Sequence, residues 1–185
     1  MPALKLFVSH SSKTEENLQV LEDVCRGLWE AYGTTIEILV DRDGKGLVSG
    51  HDWEKRLNEW LAECHSAVIL FSEAALNRSD WVKKEATILS WRRERDPNFI
   101  LIPVLLDGLT ADALTNGLFG TLRIDKSQCI SSGSTADAIV NEIQKALGDP
   151  EIVAALCGQT PLKKLEGVIT KLLIKGADRG TLEGV

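Results

Sequence analysis

Ser66-Ala67-Val68-Ile69-Leu70-Phe71, followed by Ser79-Asp80-Trp81-Val82-Lys83-Lys84-Glu85, decides the fold. The first stretch is a continuous apolar run of strand length, with no polar residue breaking it after Ser66. A strand of that kind is buried on both faces, as in a parallel sheet covered by helices. In the second stretch Ser79 is a helix N-cap, and the pattern runs to about residue 95, where Asp96-Pro97 stops it. Working outward, the same alternation repeats. Residues 4–9 (LKLFVS), 35–40 (TIEILV), 99–106 (FILIPVLL) and 119–124 (FGTLRI) read as further strands. A helix over 14–32 carries Leu18, Leu21, Cys25 and Leu28 at helical spacing and ends at Gly33. After a loop from Asp41 to His51, another helix carries Trp53, Leu57, Trp60, Leu61 and Cys64 on one stripe. A turn at Glu73–Leu76, a weak helical piece near 110–116 and a last helix over 134–147, closed by Gly148 and Pro150, complete the pattern.

Strands separated by helices predict an α/β fold with a flavodoxin-like five-stranded parallel sheet, order 2-1-3-4-5, and helices on both faces. Residues 1–148 form this domain. Residues 149–185 contain no strand and place Leu162, Leu165, Val168, Ile169, Leu172 and Leu173 at helical spacing. They read as a helical appendage or the start of a second domain.

The net charge of −6 argues against a nucleic-acid surface as the main function. The basic run Arg92, Arg93, Arg95 reads as a solvated helix end, where cations complement the helix dipole. Cys25, Cys64, Cys129 and Cys157 form no C-x-x-C pair, and buried free thiols in a reducing compartment are expected. No apolar run approaches the roughly 20 residues of a membrane span. Met1-Pro2-Ala3-Leu4-Lys5 leads straight into a strand without a signal peptide, so a cytoplasmic protein without a membrane partner is expected.

Ligands on such sheets bind beyond the carboxyl ends of the strands. Those ends carry Ser9–Ser12, Asp41–His51, Ser72 onward and Leu106–Gly108. Three residues, not two, separate Gly46 from Gly50 in the loop after the second strand, so the dinucleotide fingerprint fails, and no Walker sequence is present. A receiver domain needs an acidic phosphoacceptor at the end of the third strand, where this chain has Phe71-Ser72. Flavodoxin needs a glycine in the first loop, which Ser9-His10-Ser11-Ser12 lacks. His10, His51 and His65 have no metal-ligand spacing, so no metal is expected. Trp81 and Glu85 are four apart and share a helix face. By spacing alone Glu85 is an ordinary surface carboxylate beside a packing tryptophan.

Taken in order, several short elements change that balance. They are Phe7-Val8-Ser9-His10-Ser11-Ser12, Asp41, Gly50 with Trp53, Ser72, Ser79-x-Trp81-x-x-x-Glu85 and Pro103-Val104. Together they resemble a TIR (Toll/interleukin-1 receptor) domain of the bacterial, NAD-cleaving kind, over roughly residues 4–147. Two positions depart from the usual pattern: Lys13-Thr14-Glu15 after the first strand, and Ser49 where proline commonly precedes Gly50.

The resemblance implies that Glu85 is the catalytic carboxylate of an NAD+ hydrolase or cyclase. The enzyme would cleave the nicotinamide–ribose bond, with NAD+ as substrate and no cofactor. Ser9, His10, Ser11, Asp41, Trp53 and Trp81 would line the site. It further implies an effector of antiphage defence that becomes active through self-assembly with other TIR domains, as a homo-oligomer or filament. Residues 149–185 would then connect to a sensor. Two other readings stay open: a non-catalytic TIR scaffold, and an enzyme like the nucleoside deoxyribosyltransferases.

Overall fold

A computed structural model describes residues 3–11, 14–41, 52–115, 119–120, 122, 124, 128–131 and 135–149, the side chains of residues 52, 53 and 78 excepted. Residues 150–185, and with them the expected appendage and Cys157, lie outside the described residues, as do most of the loop after the second strand and its Gly50.

Four strands form one parallel sheet in the order β2-β1-β3-β4: β1 is Leu4–Ser9, β2 Ile36–Leu39, β3 Ser66–Phe71 and β4 Ile100–Leu105. Every residue of β3 is buried, as its unbroken apolar run requires. Side chains alternate across the sheet and build two separate cores. Leu4, Leu6, Val8, Val68 and Leu70 face α1 (Glu15–Tyr32) and α5 (Ala136–Leu147). Phe7, Ala67, Ile69 and Phe71 face α2 (Asp52–Glu63), α3 (Glu73–Arg78) and α4 (Asp80–Arg95).

Hydroxyl side chains set the helix starts, Ser79 among them as the sequence predicts. The hydroxyls of Thr14, Ser72, Ser79 and Thr135 accept N–H bonds at the starts of α1, α3, α4 and α5. Gly33, with φ of 53°, ends α1 in a conformation that favours glycine. The close contact of α5 on α1 depends on Gly27: a Cβ there would stand 2.9 Å from a Val140 methyl carbon.

Three expectations need correction. The fifth strand is not at 119–124: Phe119 and Gly120 are helical, while residues 121 and 123 lie outside the described residues. The Phe119 ring packs edge-on against Phe71, with centroids 5.3 Å apart, instead of serving a strand. Gly120 presses so closely on the Thr115 carbonyl that a Cβ would lie 2.2 Å from its oxygen. The place beyond β4 is taken by a single parallel bridge between Val104 and Ile130. There Leu105 N donates to Ile130 O, and Ile130 N to Pro103 O, each at 2.9 Å. The Glu73–Leu76 turn is a short helix, α3.

The third correction concerns Arg92, which is not a solvated helix-end residue. Its guanidinium is buried and donates to Leu61 O, to Cys64 O at 2.8 Å and to the Cys64 thiol sulfur at 2.9 Å. It also stacks 4.3 Å from the Phe99 ring centroid. Those carbonyls close the C-terminal end of α2, so a side chain of α4 caps a different helix. Cys25 and Cys64 are buried free thiols as expected, and Cys129 is half-buried. Among the described residues no helix is long and apolar enough to cross a membrane.

Candidate functional site

The carboxyl ends of β1 and β2 and the first turns of α4 meet on the α2–α4 side of the sheet. Ser9 is the last residue of β1, and its side chain is buried. Ser79 caps α4 by accepting from Val82 N at 3.3 Å, which fixes the helix so that its second turn faces β1. The Ser9 hydroxyl there donates a hydrogen bond to the Glu85 carboxyl. Glu85 is only 7% exposed, on the same buried flank of α4 as Val82, Ala86 and Leu89.

Burial raises the Glu85 carboxyl from its ordinary 4.5 to about 7, because the charged form loses its water. The Ser9 hydrogen bond works the other way, favouring the anion. The negative charge of Asp41, just beyond β2, pushes the value up again, and the Lys84 ammonium pulls it down slightly. Glu85 is therefore balanced between acid and carboxylate near neutral pH. A strongly shifted acid at the carboxyl edge of a parallel sheet is a candidate for chemistry.

Of the residues expected here, the structure joins Ser9, Asp41 and Glu85 through a hydrogen bond and through charge. Ser11 is buried two residues beyond, and its hydroxyl has no hydrogen-bond partner among the described residues. His10 is half-buried between the two serines. Trp81 is 41% exposed, one turn before Glu85, and forms the outer edge rather than the interior. The Trp53 side chain lies outside the described residues. No group of three or more His, Cys, Asp or Glu able to hold a metal occurs among the described residues.

Sequence reading passed over Lys84. Its ammonium lies 4.8 Å from the Trp81 ring centroid and 2.6 Å from a Glu54 carboxylate oxygen, tying α4 to α2. The signal was present, a cation adjacent to Glu85 and three residues after Trp81.

Replacing Ser9 by Ala removes the hydroxyl that favours the anion. A hydrogen bond to a charged group contributes roughly 1.5–3 kcal/mol. The Glu85 titration midpoint, followed by carbon NMR of labelled glutamate carboxyls, is expected to rise from about 7 in the wild type to roughly 8 or above in Ser9→Ala. An unmoved midpoint would show that the bond does not act on the anion.

Residues 6–130 match the family model of the TIR domain, which is more than half of the chain. The chain belongs to the TIR domain family. Two solved structures are similar to this TIR domain. One is described as the activated Roq1 resistosome directly recognizing the pathogen effector XopQ (TIR domains). It has 16% identity over 91% of this chain and 99% of its own, with a TM-score of 0.47. The other is a conserved protein from Enterococcus faecalis V583, with 12% identity over 78% of this chain and 99% of its own, and a TM-score of 0.46. No curated protein matches the TIR domain sequence.

Proposed function

We propose that this TIR domain cleaves the nicotinamide–ribose bond of NAD+, with Glu85 as the catalytic carboxylate. The observation that carries the reading is the buried Glu85 carboxyl, bonded by Ser9 at the carboxyl end of β1. Nicotinamide in NAD+ is already a cationic leaving group and needs no general acid. Its departure leaves an oxocarbenium-like ribose. A carboxylate in a dry site stabilises that developing positive charge far more than one in water does. Water, or an adenine nitrogen of the same molecule, then captures the cation, giving ADP-ribose or a cyclic isomer. On this reading the buried Ser11 hydroxyl, unpartnered among the described residues, bonds ribose or pyrophosphate oxygens, and the Trp81 ring forms a flat apolar wall at the edge.

The domain acts, on this reading, as a cytoplasmic effector of antiphage defence, switched on by TIR–TIR assembly. A second reading is a non-catalytic scaffold. The outward tryptophans Trp81 and Trp91, the latter 53% exposed, favour it, because large aromatics anchor protein interfaces.

A pH series separates the two. The anion is the stabilising form of Glu85, so nicotinamide release by concentrated, clustered protein is expected to rise with pH through about 7 and level off above it. Below that midpoint the rate falls roughly tenfold for each pH unit, as the anion fraction does. Release that is flat between pH 5 and 9 would contradict a titrating Glu85, and no release at any pH would favour the scaffold.

A further inference from the structure

On the opposite side of the sheet from Glu85, α1 has one covered flank and one open flank. The covered flank packs against α5, with Val140 over Gly27. The open flank lies along β2, the edge strand of the sheet. Among the described residues no strand pairs beyond that edge. A surface groove of about 620 Å³ runs there, lined by Glu22, Cys25, Arg26, Trp29, Ile36 and Ile38. Trp29 stands 63% exposed at its rim, although a tryptophan ordinarily buries much of its ring. The helix is acidic: Glu15, Glu16, Glu22, Asp23 and Glu30 face a single basic residue, Arg26, which is paired with Asp23.

We propose that this groove is the docking site of the chain's own segment 162–175. Three observations select that occupant. First, the described chain ends beside the last turn of α1, the turn after Trp29. Gly148 caps α5, and the Asp149 carboxylate lies close enough to Tyr32, in the last turn of α1, to raise the Tyr32 hydroxyl further above the value that burial gives it. Second, the segment has a matching apolar stripe, Leu162, Leu165, Val168, Ile169, Leu172 and Leu173, at helical spacing. Third, the charges are complementary. Lys163, Lys164, Lys171 and Lys175 stand against a single Glu166, with Lys164, Lys171 and Lys175 on one flank of the stripe. Glu22, which lines the groove, and Glu30, next to Trp29, are exposed acids.

The reach is sufficient. Residues 150–161 span up to roughly 40 Å when extended, more than the ~27 Å length of an 18-residue helix such as α1. Because the segment is tethered, it meets the groove at an effective concentration on the order of millimolar, so a modest contact keeps it docked. This site stands whether or not Glu85 cleaves NAD+.

The test is zero-length carbodiimide cross-linking of the full chain at low concentration, followed by mass spectrometry of the monomer band. Docking in cis predicts links from Lys164, Lys171 or Lys175 to Glu22 or Glu30 within one chain. It also predicts at least a fivefold drop in their yield in Trp29→Ser, whose side chain is exposed and whose folding is checked by circular dichroism. The same links confined to a dimer band would overturn the proposal and assign the groove to a second copy. Links from these lysines only to other carboxylates, or none, would also overturn it, as would links that persist undiminished in Trp29→Ser.

Discussion

The Glu85→Gln variant is expected to be more stable than the wild type above pH 7 and inactive toward NAD+. The fold holds the Glu85 carboxyl in a site where the acid form is favoured up to about pH 7, against 4.5 for an ordinary glutamate. Between those values the folded protein keeps a proton that the unfolded chain has released. Stability therefore falls as pH rises through that window, and the full penalty is present above about 7. At roughly 1.4 kcal/mol per tenfold change, holding the anion in place costs about 3 kcal/mol. Glutamine fills the same volume, accepts the same Ser9 hydrogen bond and carries no charge. Urea denaturation at pH 8 should show a gain of about 1–3 kcal/mol for Glu85→Gln, shrinking toward nothing at pH 5. Losing one preorganised charge-stabilising group typically costs about 10²–10³ in rate. Higher stability with lost activity marks a residue held against its folding preference for the sake of chemistry. A variant less stable than the wild type at pH 8 would instead make Glu85 a structural carboxylate.

The second large effect falls on Arg92. Its guanidinium holds Leu61 O and Cys64 O at the end of α2 and lies over Phe99. Arg92→Met keeps most of the apolar stem but leaves two carbonyls at a buried helix end without donors. Each such group costs roughly 1–3 kcal/mol, so a loss of about 2–4 kcal/mol is expected by urea denaturation. Arg92→Lys should recover only part of it, because one ammonium cannot reproduce the flat fork of donors. Arg95, exposed three residues later with its guanidinium over Trp91, serves as the control, and Arg95→Met should change stability by less than about 0.5 kcal/mol. Equal losses at the two positions would mean that Arg92 caps nothing.

These residues mark what is legible in the sequence. The strand at 66–71 and the helix capped by Ser79 are local: an unbroken apolar run and a hydroxyl before a helical period state their own structure. Strand order follows too, since parallel strands joined by helices leave few topologies. The segment 119–124 misleads because six residues with a glycine carry little strand signal, and the Phe119–Phe71 contact that places it joins residues far apart in the chain. Arg92 is opaque for a related reason. Its partners are backbone carbonyls about 30 positions away, and backbone leaves no mark in a side-chain pattern. The site was half legible. Spacing puts Trp81 and Glu85 on one face of α4, yet one is half exposed and the other buried. The difference comes from β1, whose Ser9 reaches Glu85 across 76 residues of chain.

The claim that Glu85 is a buried carboxylate acting on a ribosyl cation rests most directly on one comparison. Wild-type protein and Glu85→Gln are clustered under identical conditions at pH 8 with NAD+, and free nicotinamide is measured. Steady release by the wild type and at least about a hundredfold less by the variant are expected. Release by Glu85→Gln at a rate close to the wild type's would contradict it.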